Sequence, residues 1–293
     1  MAKRKDWLIG LGVMIVTLVL IMIMVMVSSL KNADRSFQIS SGGSKVALVE
    51  LEGPIYESNK IVRQIERFGE QKSIKAIIFR INSPGGGVAQ SQEIYDAVRK
   101  VRDSGKPVVA SMGSVAASGG YYVACGSDTI MANPGTTTGS IGVVAEFMSF
   151  KELFKKIGIH IDVVKSGRFK DSGSPFRPLS PAERQYFQDW VNDAYDQFVG
   201  IVAEERGLTK AQTLRLADGK VFTGRQAVKN GLVDCLGDYK DAIQMAARMA
   251  GIEGEPTVVQ IRPRRKSIYS LFMEQAEEVM FSRSKTTLKY IFQ

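Results

Sequence analysis

Apolar runs alternate with segments of helical periodicity along most of the chain, starting near residue 45. The apolar runs Lys45–Ile55, Ala76–Ile81 and Pro107–Met112 predict strands. Between them, Asn59–Phe68 and Ala89–Arg102 carry apolar residues at the spacing of amphipathic helices. Strands that alternate with helices favour an α/β fold with a parallel sheet and right-handed crossovers.

Two further elements are predicted beyond this alternation. Ile159–Lys165 is predicted to be another strand, and a glycine-rich loop with lysines follows it at residues 166–175. Ser180-Pro181-Ala182-Glu183 has the serine, proline and glutamate expected at the cap and first turn of a helix. The apolar spacing after it predicts a long, partly buried helix to about Arg206.

The chain begins with an apolar stretch that lacks ionisable side chains from residue 8 to residue 30. As a helix it would be about 34 Å long, enough to cross a hydrocarbon core of about 30 Å. Lys3, Arg4 and Lys5 precede it, so the positive-inside rule places the N-terminus in the cytoplasm. We expect a basic N-terminus at residues 1–7, a single-pass inner-membrane anchor at 8–30, and an extracytoplasmic body. A cleaved signal peptide is the alternative.

The net charge of +9 is concentrated at the two ends of the chain. Residues 1–35 and 262–293 carry most of it, so the body is nearly neutral and no nucleic-acid-binding face is predicted. We expect a linker at 31–44, one domain at 45–262, and a basic tail at 263–293. The basic ends fit attraction to membrane lipid, and for the tail a solvated state and contact with lipid headgroups or a neighbouring subunit all stay open, with the solvated state favoured. Cys125 and Cys235 do not have the spacing of a zinc site, and a disulfide between them stays open.

Ser118 is the candidate nucleophile of the sequence. It follows a β-branched run and small residues, and it precedes Gly119-Gly120 and a segment compatible with a helix. A serine at such a junction has its hydroxyl clear of the sheet and near the positive end of a helix. The α/β-hydrolase elbow is excluded, because Ala116 replaces the glycine that this motif needs. A tight-packing turn is the alternative.

A glycine-rich stretch, Asn82-Ser83-Pro84-Gly85-Gly86-Gly87, follows the second predicted strand. Because Gly-Lys-Ser/Thr does not follow it, it is not a phosphate-binding loop, and no nucleotide cofactor is predicted. Its bare N–H groups suit an oxyanion or the backbone of an extended peptide.

A serine nucleophile needs a base, and His160 is the only histidine of the chain. It falls inside the predicted strand Ile159–Lys165, so a Ser-His-Asp triad is disfavoured. A lysine is the remaining solution. Since a free lysine is almost wholly protonated at pH 7, it would need an apolar pocket to act as a base.

Three motifs resemble those of short-form signal peptide peptidases of the SppA type. The motifs are Met112–Tyr122 around the serine, Lys165–Asp171 around the lysines, and Asn82–Gly86. The resemblance spans about residues 45–262, and each motif occurs once, as in the single-domain form of the family. It implies a Clp-protease/crotonase-like α/β domain and an ATP-independent serine endopeptidase without metal or cofactor. The implied substrates are remnant signal peptides and other hydrophobic peptides.

The resemblance also assigns roles to single residues. It implies a Ser-Lys dyad with Ser118 as the nucleophile and Lys170 as the general base. Lys165 is the competing lysine, and only the pattern Ser-Gly-x-x-Lys-Asp selects Lys170. The implied oxyanion donors are the N–H groups of Gly85 or Gly86 and of Gly119, and Ser140 is the candidate for orienting the lysine.

The resemblance further implies a ring of identical subunits with active sites at the interfaces, although sequence alone leaves open whether one subunit completes the dyad. Two other functions remain as alternatives. An acyl-CoA enzyme of the crotonase type would be separated from its cofactor by the membrane. An inactive membrane scaffold would be expected to lack Ser118 or Lys170, and both are present.

Overall fold

The computed structural model describes residues 44–261 and 289–291. Their strands are β1 (Lys45–Glu52), β2 (Ile74–Ser83), β3 (Gly85–Gly87), β4 (Val108–Ala117), β5 (Thr129–Ala132), β6 (Thr137–Gly139), β7 (Val221–Thr223), β8 (Cys235–Leu236), β9 (Thr257–Gln260) and β10 (Lys289–Ile291). Their helices are α1 (Asn59–Glu70), α2 (Val88–Asp103), α3 (Gly119–Ala124), α4 (Lys151–Lys156), α5 (Pro181–Arg206), α6 (Lys210–Leu216), α7 (Gly224–Lys229) and α8 (Tyr239–Met249).

The central sheet is mostly parallel, with the order β7-β6-β4-β2-β1-β9. Strand β5 pairs with β4 and β8 beside this path, and β7 is antiparallel to β6. The middle strands are buried on both faces, which explains why their sequences are continuous apolar runs. This is an α/β architecture, as the fold class predicted from the sequence requires, with a mixed sheet.

Helices cover both faces of the sheet. Side chains of α8 pack on one face, in an apolar cluster that joins Ala242 and Ala246 to Val46, Ile78 and Val109. Alternation along the strands turns the neighbouring side chains to the opposite face, where α1 contacts β1 and β2. The core therefore lies in two layers, one on each side of the strands that lead to the glycine-rich stretch and to Ser118.

The five elements predicted first are confirmed, with shifted ends. β1 stops at Glu52, because Gly53 has a φ of 74° that leaves the extended conformation. β4 continues to Ala117, five residues beyond the predicted end. The long helix is also confirmed as α5, with the Ser180 capping box at its start and Gly207 in the left-handed region at its end.

The predicted strand Ile159–Lys165 is wrong. These residues pair with no strand among those described, and their side chains are exposed. Their apolar side chains do not face the sheet, so the alternation that predicted a strand does not reflect burial in the core. His160 is likewise exposed and is not a residue of a sheet strand.

The described residues include no helix long and apolar enough to span a membrane. The predicted anchor at 8–30, and most of the segments 1–44 and 263–293, lie outside the described residues. Both cysteines are free thiols in this structure, Cys125 in the core and Cys235 partly exposed.

Candidate active site

Ser118 occupies the turn between strand β4 and the buried helix α3. Its φ of 55° and ψ of −119° lie in a region that L residues rarely adopt. Such strain costs about 1–3 kcal/mol and concentrates at active sites. The residue is 1% exposed, and its Oγ has no hydrogen-bond partner within the described part of the chain. This combination is typical of a nucleophile and not of a packing turn.

Two close contacts fix this turn. The Ser118 N–H donates to the Gly139 carbonyl at 2.8 Å, at the end of strand β6. A Cβ at Gly120 would lie 2.6 Å from the carbonyl oxygen of Ser83, so only glycine lets α3 come this close to the end of β2. Ser83 is also in register with Ala116 of β4. The structure thus brings the glycine-rich stretch next to Ser118.

Strand β3 has one edge covered by Ile55 and a second edge that pairs with an extended segment of the chain. On the covered edge, the Ile55 N–H donates to the Gly85 carbonyl, and the Gly87 N–H donates to the Ile55 carbonyl, both at 2.8 Å. Because backbone polar groups alternate along a strand, those of Gly86 face the other edge. There β10 pairs antiparallel, with Tyr290 opposite Gly86. A C-terminal segment of the chain itself therefore occupies the edge that suits an extended peptide.

The predicted oxyanion donors differ in their surroundings. The Gly85 N–H donates to the Ser83 Oγ at 3.1 Å. Gly86 presents its N–H to the peptide edge, and a Cβ there would lie 2.2 Å from the Ile55 carbonyl oxygen. Gly119 opens α3, where the N–H groups have no partner within the helix. The Gly85 N–H is therefore engaged by a side chain of its own turn, whereas the Gly86 N–H faces the edge that pairs with β10.

Ser140 lies next to the residue that holds Ser118. It is buried, with a φ of 50°, and its N–H donates to the Lys220 carbonyl at 2.9 Å. Ser118 and Ser140 are the two non-glycine residues with positive φ among those that the structure describes. Ser140 also lines a cavity of about 370 Å³ together with Tyr195 and Asp218.

Lys170 lies on an exposed loop of successive turns. Its N–H donates to the Gly167 carbonyl at 3.1 Å, and its side chain is exposed and has no ion-pair or hydrogen-bond partner within residues 44–261. Since the Ser118 Oγ is also without a partner, the two side chains do not hydrogen-bond within one chain. For the same reason, His160 does not hydrogen-bond to the Ser118 Oγ within one chain.

Lys165 has different surroundings. Its Nζ donates to a carboxylate oxygen of Asp171 and to the Arg168 carbonyl, the latter at 3.1 Å. Asp171 also accepts from the Nε of Arg177 at 2.9 Å. The Arg177 guanidinium and then the Lys165 ammonium lower the pKa of Asp171 to about 2. Lys165 is therefore held by a carboxylate, whereas Lys170 is not.

The sequence did not predict that Arg177 links Asp171 to a second carboxylate. Arg177 also donates to both carboxylate oxygens of Glu183, and Glu183 is 3% exposed at the start of α5. The helix-cap motif predicted the position of Glu183 but not its pairing, because the motif specifies only local contacts. No local pattern marks Arg177. We call Asp171, Arg177 and Glu183 the carboxylate–arginine network.

Comparisons with known proteins agree with this geometry. The profile of peptidase family S49 matches residues 100–253, and that of Clp protease matches residues 31–138. A Synechocystis sp. protein with a provisional protease name is 43% identical over 215 residues, which cover 73% of this chain and 77% of that protein.

Two longer relatives are matched over part of their length. Protease 4 of Haemophilus influenzae is 36% identical over 74% of this chain and 36% of its own. Serine protease SPPA, chloroplastic, of Arabidopsis thaliana is 34% identical over 78% of this chain and 34% of its own. With a buried, strained serine at the sheet end and a family match over half of the sequence, the chain belongs to peptidase family S49 and is a serine peptidase of the SppA type.

Proposed function

We propose that this peptidase cleaves peptides with a Ser118–Lys170 dyad and without ATP. The observation that carries the proposal is the buried Ser118 Oγ, which is held in a strained turn and lacks a partner. Lys170 accepts the proton of this hydroxyl as the oxygen attacks the peptide carbonyl, and it then donates the proton to the leaving amine. Water hydrolyses the resulting acyl-enzyme by the reverse proton path.

The backbone stabilises the negative charge on the carbonyl oxygen in this proposal. The N–H groups of Gly86 and Gly119 donate to it. Gly119 directly follows Ser118 at the start of α3, and Gly86 lies in β3, which α3 contacts. Ser140 orients the lysine from the neighbouring turn. The cavity beside Ser140 leaves room for a side chain to approach from outside.

The substrate lies along β3 as an added antiparallel strand. The pairing of β10 with Gly85–Gly87 supports this binding mode, because it shows that the glycine edge accepts an extended segment. Backbone pairing recognises shape more than sequence, which suits remnant signal peptides and other hydrophobic peptides. The anchor expected at residues 8–30 would hold the enzyme at the membrane that releases such peptides.

The dyad is completed between subunits of a homo-oligomeric ring. Three features support this arrangement: Ser118 has no partner, Lys170 is exposed without one, and the segment that carries Lys170 presents many apolar side chains to solvent. An exposed apolar surface of this kind is typical of a protein interface. A head-to-tail contact between identical subunits closes into a ring when it is repeated with the right rotation.

The dyad is tested with single variants of the full chain and a fluorogenic hydrophobic peptide. Ser118→Ala and Lys170→Ala should each lower kcat by at least about a thousandfold with the fold intact. Lys165→Ala should retain measurable turnover. Activity should rise towards alkaline pH, because a lysine acts as a base only when deprotonated, and His160→Gln should keep both the rate and this alkaline rise. Full activity in Ser118→Ala or Lys170→Ala would contradict the dyad, and loss of the alkaline rise in His160→Gln would favour the imidazole.

The expected orientation has its own test. Protease added to intact spheroplasts should digest the body of the protein, because the basic N-terminus places the body outside the cytoplasm. Protection in intact spheroplasts, with digestion only after lysis, would reverse the proposed topology.

A further inference from the structure

The loop that carries Lys170 has few anchors of its own. It lies between a segment without a strand partner and the start of α5, and most of its backbone bonds are short-range turns such as Ser172 N–H to the Phe169 carbonyl at 3.1 Å. Two longer-range contacts accompany them: the Phe150 N–H donates to the Pro175 carbonyl at 2.6 Å, and the ring of Phe169 packs against Tyr186 of α5. Short-range turns fix the local shape of a loop but not its position on the protein. A base that must meet a hydroxyl within about 3 Å needs its loop to be placed by longer-range contacts.

The carboxylate–arginine network supplies such contacts on the residue next to the base. Asp171 directly follows Lys170, and its carboxylate accepts from the Nε of Arg177 at 2.9 Å. The Arg177 Nη1 donates to Glu183 at 2.7 Å, so one guanidinium joins two carboxylates. A planar guanidinium can bridge two carboxylates in this way, whereas a lysine ammonium lacks the fixed fork geometry.

Glu183 fixes the network to a rigid element. Its carboxylate accepts from the Ser180 N–H at 2.8 Å, which forms the capping box of α5. It also accepts from the Ser172 Oγ at 3.0 Å, on the far side of Asp171 from Lys170. The carboxylate is almost fully buried, so each of its bonds is protected from water. The loop is therefore tied to α5 at two positions directly after Lys170.

We propose that Asp171, Arg177 and Glu183 are positioning residues that set the place of Lys170, with Lys165 as part of the same support. This inference rests on the proposed role of Lys170 as the base. It also separates the two lysines that the sequence left in competition. Lys165 is occupied by Asp171, and its loss weakens the support without removing the base.

The test compares two arginines that each hold carboxylates. Arg177→Lys should lower kcat about tenfold and Arg177→Ala about a hundredfold, with KM changed less than about twofold, because the peptide pairs with β3 and not with this loop. Arg206→Lys is the matched control, since Arg206 forks onto Asp234 away from this loop. It should keep the wild-type kcat. Circular dichroism and thermal unfolding identify any variant that fails to fold.

Two readouts separate positioning from stability alone. An amine displaced into water keeps its proton to higher pH, so the alkaline rise of kcat should move to higher pH in Arg177→Lys but not in Arg206→Lys. Ethylguanidinium should raise the kcat of Arg177→Ala at least fivefold. The Arg177 side chain is partly exposed, so the space that it leaves can be reached by a small guanidinium from solvent. Lys170→Ala should not respond to it.

The outcomes distinguish this inference from the proposed dyad. An active Lys170→Ala would overturn the dyad and the positioning role together. An inactive Lys170→Ala combined with wild-type kcat and pH profile in folded Arg177→Lys and Arg177→Ala would overturn the positioning role alone. Equal losses of kcat in Arg177→Lys and Arg206→Lys would also overturn it, because the effect would then follow stability and not the loop.

Discussion

Ser118 and Lys170 lie in regions of opposite construction. Ser118 is 1% exposed and is surrounded by the ends of packed strands and a buried helix. The region that carries Lys170 instead presents apolar side chains to solvent, including Met148, Phe150, Leu153, Ile157, Ile159, Ile161, Val163, Val164 and Phe169. The Ser118 region is buried by residues of the same chain alone. The Lys170 region has the composition of a surface that a partner covers.

This contrast would explain how one sequence keeps the proposed nucleophile and the proposed base apart. The turn of Ser118 is packed against glycines at which a Cβ would collide with backbone, as at Gly120 and Gly86. The loop of Lys170, the proposed base, lies outside the sheet and is held by the ion pairs of the neighbouring Asp171. A dyad shared between copies would join the two regions only after assembly, which would prevent a lone subunit from cleaving peptides.

Among the changes that test the contrast between the two regions, the largest expected effect comes from adding a Cβ at Gly120. In Gly120→Ala the new Cβ would lie 2.6 Å from the Ser83 carbonyl oxygen, so the turn must move. We expect overpacking to cost about 1–3 kcal/mol of folding free energy and kcat to fall by at least about a hundredfold. Gly200→Ala is the control, because it has open space in a helix and should stabilise by up to about 1 kcal/mol. Full activity in Gly120→Ala would show that this close approach is not needed.

The next effect is complementation between two inactive subunits. Ser118→Ala and Lys170→Ala subunits, co-expressed in equal amounts, should recover roughly a quarter of the wild-type activity if each site takes one residue from each neighbour. Random mixing gives one complete interface in four. Mixed oligomers that are confirmed by native mass spectrometry and remain inactive would place the whole dyad in one subunit.

The strand, helix and glycine signals that surround Ser118 are local in the sequence, and this explains why they could be predicted. A buried strand leaves a continuous apolar run, and the junction with α3 leaves Ser-Gly-Gly. The strain at Ser118 and the contact between Gly120 and Ser83 depend on how distant strands meet. Sequence reasoning anticipated the junction but could not give its dihedral angles.

The region around Lys170 shows where the same reasoning fails. Apolar alternation at Ile159–Lys165 predicted a strand, because alternate apolar residues of a strand ordinarily face the core. Here the apolar side chains are exposed, so the alternation marks an exposed apolar surface and not a strand packed in the core. The pairing of Arg177 with Asp171 and Glu183 likewise depends on the fold of the loop. Only the resemblance to a family selected Lys170 over Lys165.

A smaller effect should follow from a charge on the exposed apolar surface. Val164 is fully exposed, so Val164→Asp should leave the thermal stability of the isolated subunit unchanged. It should weaken assembly and lower activity about tenfold, as measured by analytical ultracentrifugation and peptide hydrolysis at several concentrations. Leu214→Asp on α6 carries the same charge at another exposed apolar position, and it should alter neither. If both variants assembled and cleaved peptide equally well, the exposed apolar surface near Lys170 would not be a subunit interface.

The smallest expected effect is the pH dependence of the carboxylate–arginine network. Hydrogen bonds from Arg177 lower the pKa of Glu183 well below its ordinary value of 4.5, and that of Asp171 falls to about 2. Lowered carboxylate pKa values contribute stability that is complete above about pH 4.5 and is lost as pH falls towards 2. Glu183→Gln should therefore lower Tm by roughly 2–4 °C at pH 6, with the difference shrinking steadily between pH 4.5 and 2. A Tm difference that stays constant over this range would mean that the charge of Glu183 does not stabilise the loop.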